Sequence, residues 1–549
     1  MNRIKLKPII LILFLIGSTL LGLILISFYT SDINLDNKNL RISPSSSPIY
    51  INDADPGSNW TVAKGAGICT GEGTYSNPYV IENFEIDGTG LSASGILIEN
   101  SDAFFRIENC IAHTSLYQFA CGIQLSNVDN GQIINNTCYD YTTNPGIRLD
   151  YCNNITISGN NVYDVWVGGI YIRDGVNNII SGNTLNGAGR PNTQLGGISI
   201  YDCDDTIISG NTLVDCYRGI QIWHNSMYNT ISKNTISDSD NGGIALEESN
   251  NNTVLENNIN NIYHEGIYLF DSHYNNVTGN TANNNEIGIS LETSNDNFFF
   301  GNTINNNAGG GIYLYSSEYN NISANTVNYN SNKGIHLEDS DDNVITGNDL
   351  DNNDLGIYLE NSERIKISGN TIDQFALQLI GSRAMLASHD IDNTNLVSGK
   401  SIYYYTNKVN LGTSDFTNAG QVILVNCNDS SISNLDVSYC PIGIALYYCN
   451  NNTVSGNIVN DNTLYGIFLY ESNYNTITGN TLERNGKCID EVNCEGNEFS
   501  DNGECTYGVV SSDGIPGLSL YILIGTLSLV AISMSIIILK RRKFKLISK

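Results

Sequence analysis

Four glutamates and one histidine carry the first chemical signal in the chain. Glu247, Glu292, Glu338 and Glu360 each follow the second apolar residue of a recurring "GIxL" or "GIxI" phrase, and His336 stands two positions before Glu338. The other occupants of that place are Arg173, Tyr201, Trp223, Phe270, Tyr315, Tyr447 and Tyr470, so large aromatics alternate with carboxylates over six consecutive phrases. The place two residues earlier adds Tyr171, Tyr268, Tyr313, His336 and Tyr358. Flat aromatic faces beside hydrogen-bonding groups suit sugar rings. Two carboxylates about 5 to 9 Å apart can act on a glycosidic bond. Glu338 and Glu360 are the candidate catalytic residues, with Glu247 beside Glu248 or Asp271 as a further candidate. Tyr201, Trp223, Phe270, Tyr315, Glu292, His336 and Tyr358 are the candidate ligand-binding residues. Oxygen donors at such spacing suit Ca²⁺ as a cofactor, whereas the sequence names no metal ligand set. A reading without any ligand stands beside these: aromatics are good strand residues that stabilise neighbouring strands, and acidic residues keep a long protein soluble. Elimination or epimerisation of a uronic acid would want a cation beside the acids, and only Arg173 and Arg218, near Trp223, answer that description.

The elements that must position these residues follow from a repeat. The asparagine of "SGN", "TGN" and their variants recurs at Asn136, Asn160, Asn183, Asn211, Asn234, Asn257, Asn280, Asn302, Asn325, Asn348 and Asn370, then at Asn457 and Asn480. Most intervals are 22 to 24 residues, with one of 28 between Asn183 and Asn211. Within each unit the apolar residues alternate, as Ile267 and Leu269 do, which is the strand period and not the helical one. Short strands cannot bury an apolar face alone and must stack on their neighbours. A unit of this length without a helix is one coil of a parallel β-helix; leucine-rich repeats share the length but show more leucines and a helical segment. Ser272 marks a small inward position that Cys152, Cys203 and Cys449 take in other coils, and Cys138 takes an apolar one. Asn280 and its equivalents sit at a bend, placed to bond to the backbone and to the copy one coil away.

Charge and apolar runs set the wider organisation. The chain has 549 residues and a formal charge of -30, roughly -39 once nine basic residues in the two tails are set aside. Such a surface excludes a general nucleic-acid binder, which needs basic groups to displace counterions. Residues 9–28 and 518–539 are long uncharged apolar runs with basic flanks at 1–8 and 540–549. Each is long enough to span a bilayer as a helix, and the flanks predict cytoplasmic termini with the bulk of the chain outside; a cleaved signal peptide is the alternative for the first run. Residues 32–59 and 506–517 read as linkers, 60–110 as the N-terminal cap and first coils, 111–481 as the solenoid with enlarged coils at 372–430, and 482–505 as a C-terminal cap. Thirteen cysteines fit an oxidising exterior, and Cys488, Cys494 and Cys505 are the expected place for a disulfide. Asn59, Asn135, Asn154, Asn251, Asn276, Asn321, Asn428 and Asn451 head glycosylation sequons.

The repeated "NNTISGNT...GIYL" pattern resembles the right-handed parallel β-helix repeats of pectate-lyase-like proteins, and most closely the NosD-like branch. "GEGTYSNPYVIENFEIDG" resembles the cap that precedes such repeats, and "SGKSIYYYTNK...NAGQVILVNC" the longer coil of the same branch; the resemblance covers roughly 60 to 500. It implies an all-β, right-handed parallel β-helix solenoid, here expected to be flanked by terminal transmembrane helices. The wider group includes polysaccharide lyases, hydrolases and epimerases beside proteins that only bind or display. Copper is the ion in the branch's name, but six histidines and four methionines form no compact ligand cluster in the sequence. The expectation is a membrane-anchored extracellular β-helix that binds an extracellular polysaccharide or cell-surface glycan, or serves a structural or adhesive role with a surface protein as partner. The alternative is a polysaccharide-active enzyme using carboxylates on an exposed sheet face.

Overall fold

The computed structural model describes residues 41–42, 48–88, 93–113, 121–191, 193 and 195–503. By its contacts the chain divides into two units, residues 1–198 and 199–549.

In the first unit, alternation of apolar residues builds parallel strands that stack copy on copy. Ile147 lies in register with Ile123 on one side and Ile170 on the other. A second face stacks Ile133, Ile157 and Ile180, and a third stacks Ala112, Cys138, Val162 and Leu185. All of these side chains are buried. The three rows are the three inner walls of a β-helix, and each coil completes its core only against the next. Cys138 therefore occupies an apolar wall position, as its place in the repeat implies. A short helix, Trp60–Gly65, begins at Asn59, whose side chain accepts from the Val62 amide at 3.1 Å. Trp60 is buried, stacks on Tyr79 at 4.6 Å and donates its indole N–H to Ser101 at 2.9 Å.

The second unit carries the candidate residues. Arg218–Trp223, Gly242–Glu247, Glu265–Phe270, Ile287–Glu292, Gly310–Tyr315, Lys333–Glu338, Leu355–Glu360 and Leu377–Ile380 run parallel, in that order, in one sheet. A second wall stacks Ile231, Val254, Val277, Phe299, Ile322, Ile345 and Ile367. At Gly334, which opens the strand bearing His336, an added β-carbon would stand 2.8 Å from the Gly356 carbonyl oxygen. Only glycine allows the coils to approach that closely at this corner.

The recurrent asparagines are buried and fully paired. Asn280 donates to Val254 O at 2.8 Å and to Asn302 Oδ1 at 3.1 Å, while its own Oδ1 accepts both the backbone N–H and the side-chain amide of Asn257 at 3.0 Å. The same exchange runs from Asn211 to Asn370. A buried amide left without partners would be costly, so this ladder holds the bend of each coil at one geometry. The Ser272 position works likewise: its backbone N–H donates to Ser294 Oγ at 3.1 Å, and Cys449, in the same place, donates to Ser472 Oγ at 2.9 Å.

The repeat is broken after Leu377–Ile380, the last strand of its sheet. A helix, Arg383–Leu386, is followed by an antiparallel pairing of Leu396–Val397 with Lys400–Thr406, turned through Ser398 and Gly399 at positive φ. Parallel stacking then resumes through Ala419–Val425, Ile442–Tyr447, Tyr465–Tyr470 and Lys487–Val492.

The membrane expectation is corrected. Among the described residues no helix is long and apolar enough to cross a membrane, and runs 9–28 and 518–539 lie outside the described residues. The fold class that the described residues show is the all-β parallel β-helix; the terminal transmembrane helices find no support among them, and the membrane location and topology built on those helices are withdrawn. Of the three cysteines at which a disulfide was expected, Cys488 is disulfide-bonded, Cys494 is not, and Cys505 lies outside the described residues. Eleven of the described cysteines are free thiols, ten of them buried. Small size and inward direction, not oxidation, explain these.

Candidate functional site

Strand register places the candidate residues in two columns on one outer sheet face. Trp223, Glu247, Phe270, Glu292, Tyr315, Glu338 and Glu360 are successive partners. Beside them run Tyr268, Ser290, Tyr313, His336 and Tyr358. Tyr201 meets Trp223 edge to face at 5.0 Å. Phe270 is half-buried and Tyr315 more exposed.

The carboxylates are not equivalent. Glu247 is paired with Arg218 at 2.6 Å and accepts from Gln221 at 3.1 Å, so its charge is already neutralised. Its expected companions are drawn elsewhere, Glu248 toward His224 and Asp271 toward His273. Glu292 accepts the Tyr268 hydroxyl at 2.9 Å. In the first unit, Arg173 bonds Asp150 and lies over the Tyr151 ring.

Glu338 and Glu360 come together with His336. The His336 ring lies between Tyr313, stacked on it at 4.8 Å, and Tyr358, tilted by 44° at 4.9 Å. Its Nε2 is buried, makes no hydrogen bond, and stands 4.0 Å from Glu338 Oε2 and 3.8 Å from Glu360 Oε2. One donor atom from each of the three residues lies within 4.8 Å of the others, so the cluster could hold a metal ion. Tyr313 donates its hydroxyl to Glu338 at 2.7 Å. Lys333 reaches over the Tyr358 ring, 4.5 Å from its centroid. A cavity of about 140 Å³ opens beside Tyr313, Lys333 and His336.

Electrostatics follow from this packing. Burial, with Lys333 as a lesser cause, pushes the His336 imidazole down to about 3, so it is neutral near pH 7. The two carboxylates pull the other way, but at 3.8 and 4.0 Å neither makes a hydrogen bond, and burial prevails. Burial and the nearby Glu360 carboxylate push the Tyr358 phenol up to about 12. Burial and the bond to Glu338 raise that of Tyr313 as well. Both hydroxyls are protonated at neutral pH.

Sequence reasoning placed Glu338 and Glu360 together and His336 on the same face, but treated the histidine as a ligand contact apart from the acids. The register of His336 with Tyr358, beside that of Glu338 with Glu360, was the signal that joins them. Lys333, three residues before His336, was missed.

Stacked parallel coils with buried amide ladders, and an outer sheet face bearing aromatics and carboxylates, define a right-handed parallel β-helix of the pectate-lyase-like class. Within that class, the chain belongs to the family described as periplasmic copper-binding protein (NosD), whose model matches residues 74–264, 260–375 and 377–516. No curated protein sequence matches the chain. Among solved structures, it is similar to the periplasmic alginate epimerase AlgG, at 15% identity and TM-score 0.40 over 62% of this chain and 83% of that one. It is also similar to PfbA, a surface adhesin of Streptococcus pneumoniae, at 13% identity and TM-score 0.34 over 52% and 84%. Tailspike protein 3 of bacteriophage CBA120 follows at 14% identity and TM-score 0.39 over 66% and 63%. At these values the likeness is one of coil architecture and carries nothing about chemistry.

The copper in the family's description does not fit the residues present. Copper sites draw on imidazoles and soft sulfur, whereas the cluster offers one imidazole and two carboxylates, and no other such group converges among the described residues. The expected membrane-anchored binding or adhesive protein is corrected too. Its membrane partner has no spanning helix among the described residues to rest on, and the grouping of His336 with two acids favours the enzymatic alternative.

Proposed function

We propose that this protein is a polysaccharide-active enzyme of the lyase or epimerase type, with its reaction centre at His336, Glu338 and Glu360. The observation that carries the reading is the neutral, unpartnered Nε2 of His336 facing two carboxylates on an exposed sheet. For this nitrogen to accept a proton from a sugar ring carbon, substrate binding must expose it and bring Glu338 and Glu360 within hydrogen-bond distance to stabilise the imidazolium, because in the free protein burial holds its basicity down. Tyr313 and Tyr358, on either side of the ring, carry hydroxyl protons that can be delivered to the substrate. A base and an acid on one sheet face suit proton abstraction followed either by elimination, with a phenol protonating the leaving glycosidic oxygen, or by delivery of a proton to the opposite side of the sugar ring carbon. The ring proton of a hexuronate, next to a carboxylate, is the one acidic enough for this chemistry, and Lys333 is the nearby cation for that carboxylate.

The test is incubation of the protein with polygalacturonate and with alginate in deuterated water. Elimination gives an unsaturated, ultraviolet-absorbing product, and epimerisation gives deuterium at the ring carbon. Both should vanish in His336→Ala and in the double variant Glu338→Gln with Glu360→Gln. New reducing ends without unsaturation would instead assign glycoside hydrolysis to the two carboxylates. Absence of any product or exchange would refute the enzymatic reading.

A second reading is favoured by the convergence of three donors on one point. In it, His336, Glu338 and Glu360 hold a divalent cation, Ca²⁺ if oxygen donors dominate or Mn²⁺ or Zn²⁺ if the imidazole does. The ion would neutralise a bound uronate, and His336 would then be a ligand and not the base. Added Ca²⁺ or Mn²⁺ activates the enzyme in this reading and inhibits it in the first.

A further inference from the structure

A second cleft lies one coil beyond the reaction centre, where the sheet breaks. Leu377–Ile380 has no strand after it in its sheet, and on its open edge side chains meet the Leu377 amide and the Leu377 and Leu379 carbonyls. Gln421, fully buried, donates to Leu377 O at 2.7 Å and Ile442 O at 3.0 Å, and accepts from the Leu377 amide at 3.2 Å. The Tyr447 hydroxyl donates to Leu379 O at 3.3 Å. The break leaves a cleft of about 290 Å³ among Gln378, Ile380, Tyr447, Tyr465, Phe468 and Tyr470.

The lining has a consistent chemistry. Tyr465 and Phe468 are stacked at 4.9 Å with 17° between their planes, and Tyr447 meets Phe468 at 70°, which makes an apolar floor and wall. Gln378 and Tyr465 are half-buried, and neither the Gln378 amide nor the Tyr465 hydroxyl makes a hydrogen bond to a described residue. Gln378 is in register with Tyr358, and Ile380 with Glu360, so the cleft begins about 4.8 Å beyond the reaction centre. An extended peptide would need a free strand edge, and Gln421 and Tyr447 have taken those backbone groups. A lipid chain would leave the amide and the phenol unpaired. A sugar ring meets both demands, with an apolar face for the aromatic floor and hydroxyls for the rim. The volume lies at the small end for ligand clefts, which start near 300 Å³, and suits one ring more than a long segment.

We infer that this cleft is a sugar-binding subsite that seats one ring of the substrate polysaccharide next to the reaction centre, stacked on Phe468 and hydrogen-bonded by Gln378. The inference rests on the enzymatic reading for the identity of the polymer, but binding can be measured without turnover. The probes are oligogalacturonate and alginate oligosaccharides of increasing length, titrated calorimetrically into the full chain and its variants. Phe468→Ala and Gln378→Ala should each weaken binding of the longer oligosaccharides, by about tenfold for the lost stacking, and leave the thermal unfolding of Gln378→Ala at the wild-type midpoint. Wild-type affinity in both variants, or no binding of any probe, overturns the subsite. Turnover that is insensitive to both substitutions would refute the subsite and keep the enzyme; binding that depends on them without turnover would keep the subsite and refute the enzyme.

Discussion

Replacing His336 with phenylalanine should remove a specific part of the protein's acid sensitivity. The ring would keep its place between Tyr313 and Tyr358 but could no longer take a proton. In the folded protein the imidazole resists protonation until about pH 3, against 6.5 when unfolded. Below 6.5 the unfolded chain therefore binds a proton that the folded chain does not. Stability from this group is complete above pH 6.5 and falls as the pH drops toward 3. The full difference corresponds to at most about 5 kcal/mol, of which about 2.7 would be lost by pH 4.5. The ring is 13% exposed, and Glu338 and Glu360 favour its charged form, so the loss at pH 4.5 should be about 1–2 kcal/mol. Chemical denaturation of wild type and His336→Phe from pH 7 to pH 4.5 measures it. His389, pushed down to about 4 by burial, contributes equally to both proteins and cancels. Parallel pH profiles, or a His336 resonance that titrates at 6.5 or above, would refute the argument from burial.

Asn280→Ala should lower stability by about 1–3 kcal/mol for each partner it strands, because the Val254 carbonyl and the Asn257 amide groups lose their bonds inside the wall; thermal melting reads the change. Cys449→Ser should be nearly neutral, within about 1 kcal/mol, since serine holds the same position at Ser272 and Ser472. A thiol reagent at neutral pH should label the buried cysteines only on unfolding, as burial pushes Cys110, Cys121 and Cys440 up to about 12; rapid labelling of the native protein would contradict their burial. Gly334→Ala should disturb the strand bearing His336, because its β-carbon would press within 2.8 Å of the Gly356 oxygen; weaker oligosaccharide binding with retained fold would register it.

The coil was legible in the sequence because its determinants are local and repeated. Ile267, Leu269, Ser272 and Asn280 each do in their coil what their copies do in the next, so spacing alone assigns them. The outer columns were legible for the same reason, since a residue's register follows from its place in the phrase. What the columns do chemically was less so. Arg218 neutralises Glu247 from 29 residues away, and Tyr313 reaches Glu338 from 25. Those choices depend on side-chain reach between coils, which spacing does not encode. The second cleft was hidden altogether: it joins residues near 378 to residues near 465 across an irregular insertion. The cysteines were legible where the repeat places them, since Cys138, Cys152, Cys203 and Cys449 are buried at the apolar and small inward positions that spacing assigned.

The asparagine ladder from Asn211 to Asn370 has a consequence for how such a protein can change over time. Each amide gives its donor to the following coil and offers its acceptor to the preceding one, so every coil presents the same plug on one side and the same socket on the other. A coil can then be duplicated or deleted by one genetic event and still find matching partners. Length becomes a property that inheritance can adjust in whole steps, and a chemical centre built on two or three adjacent coils can be carried intact along a growing or shrinking stack.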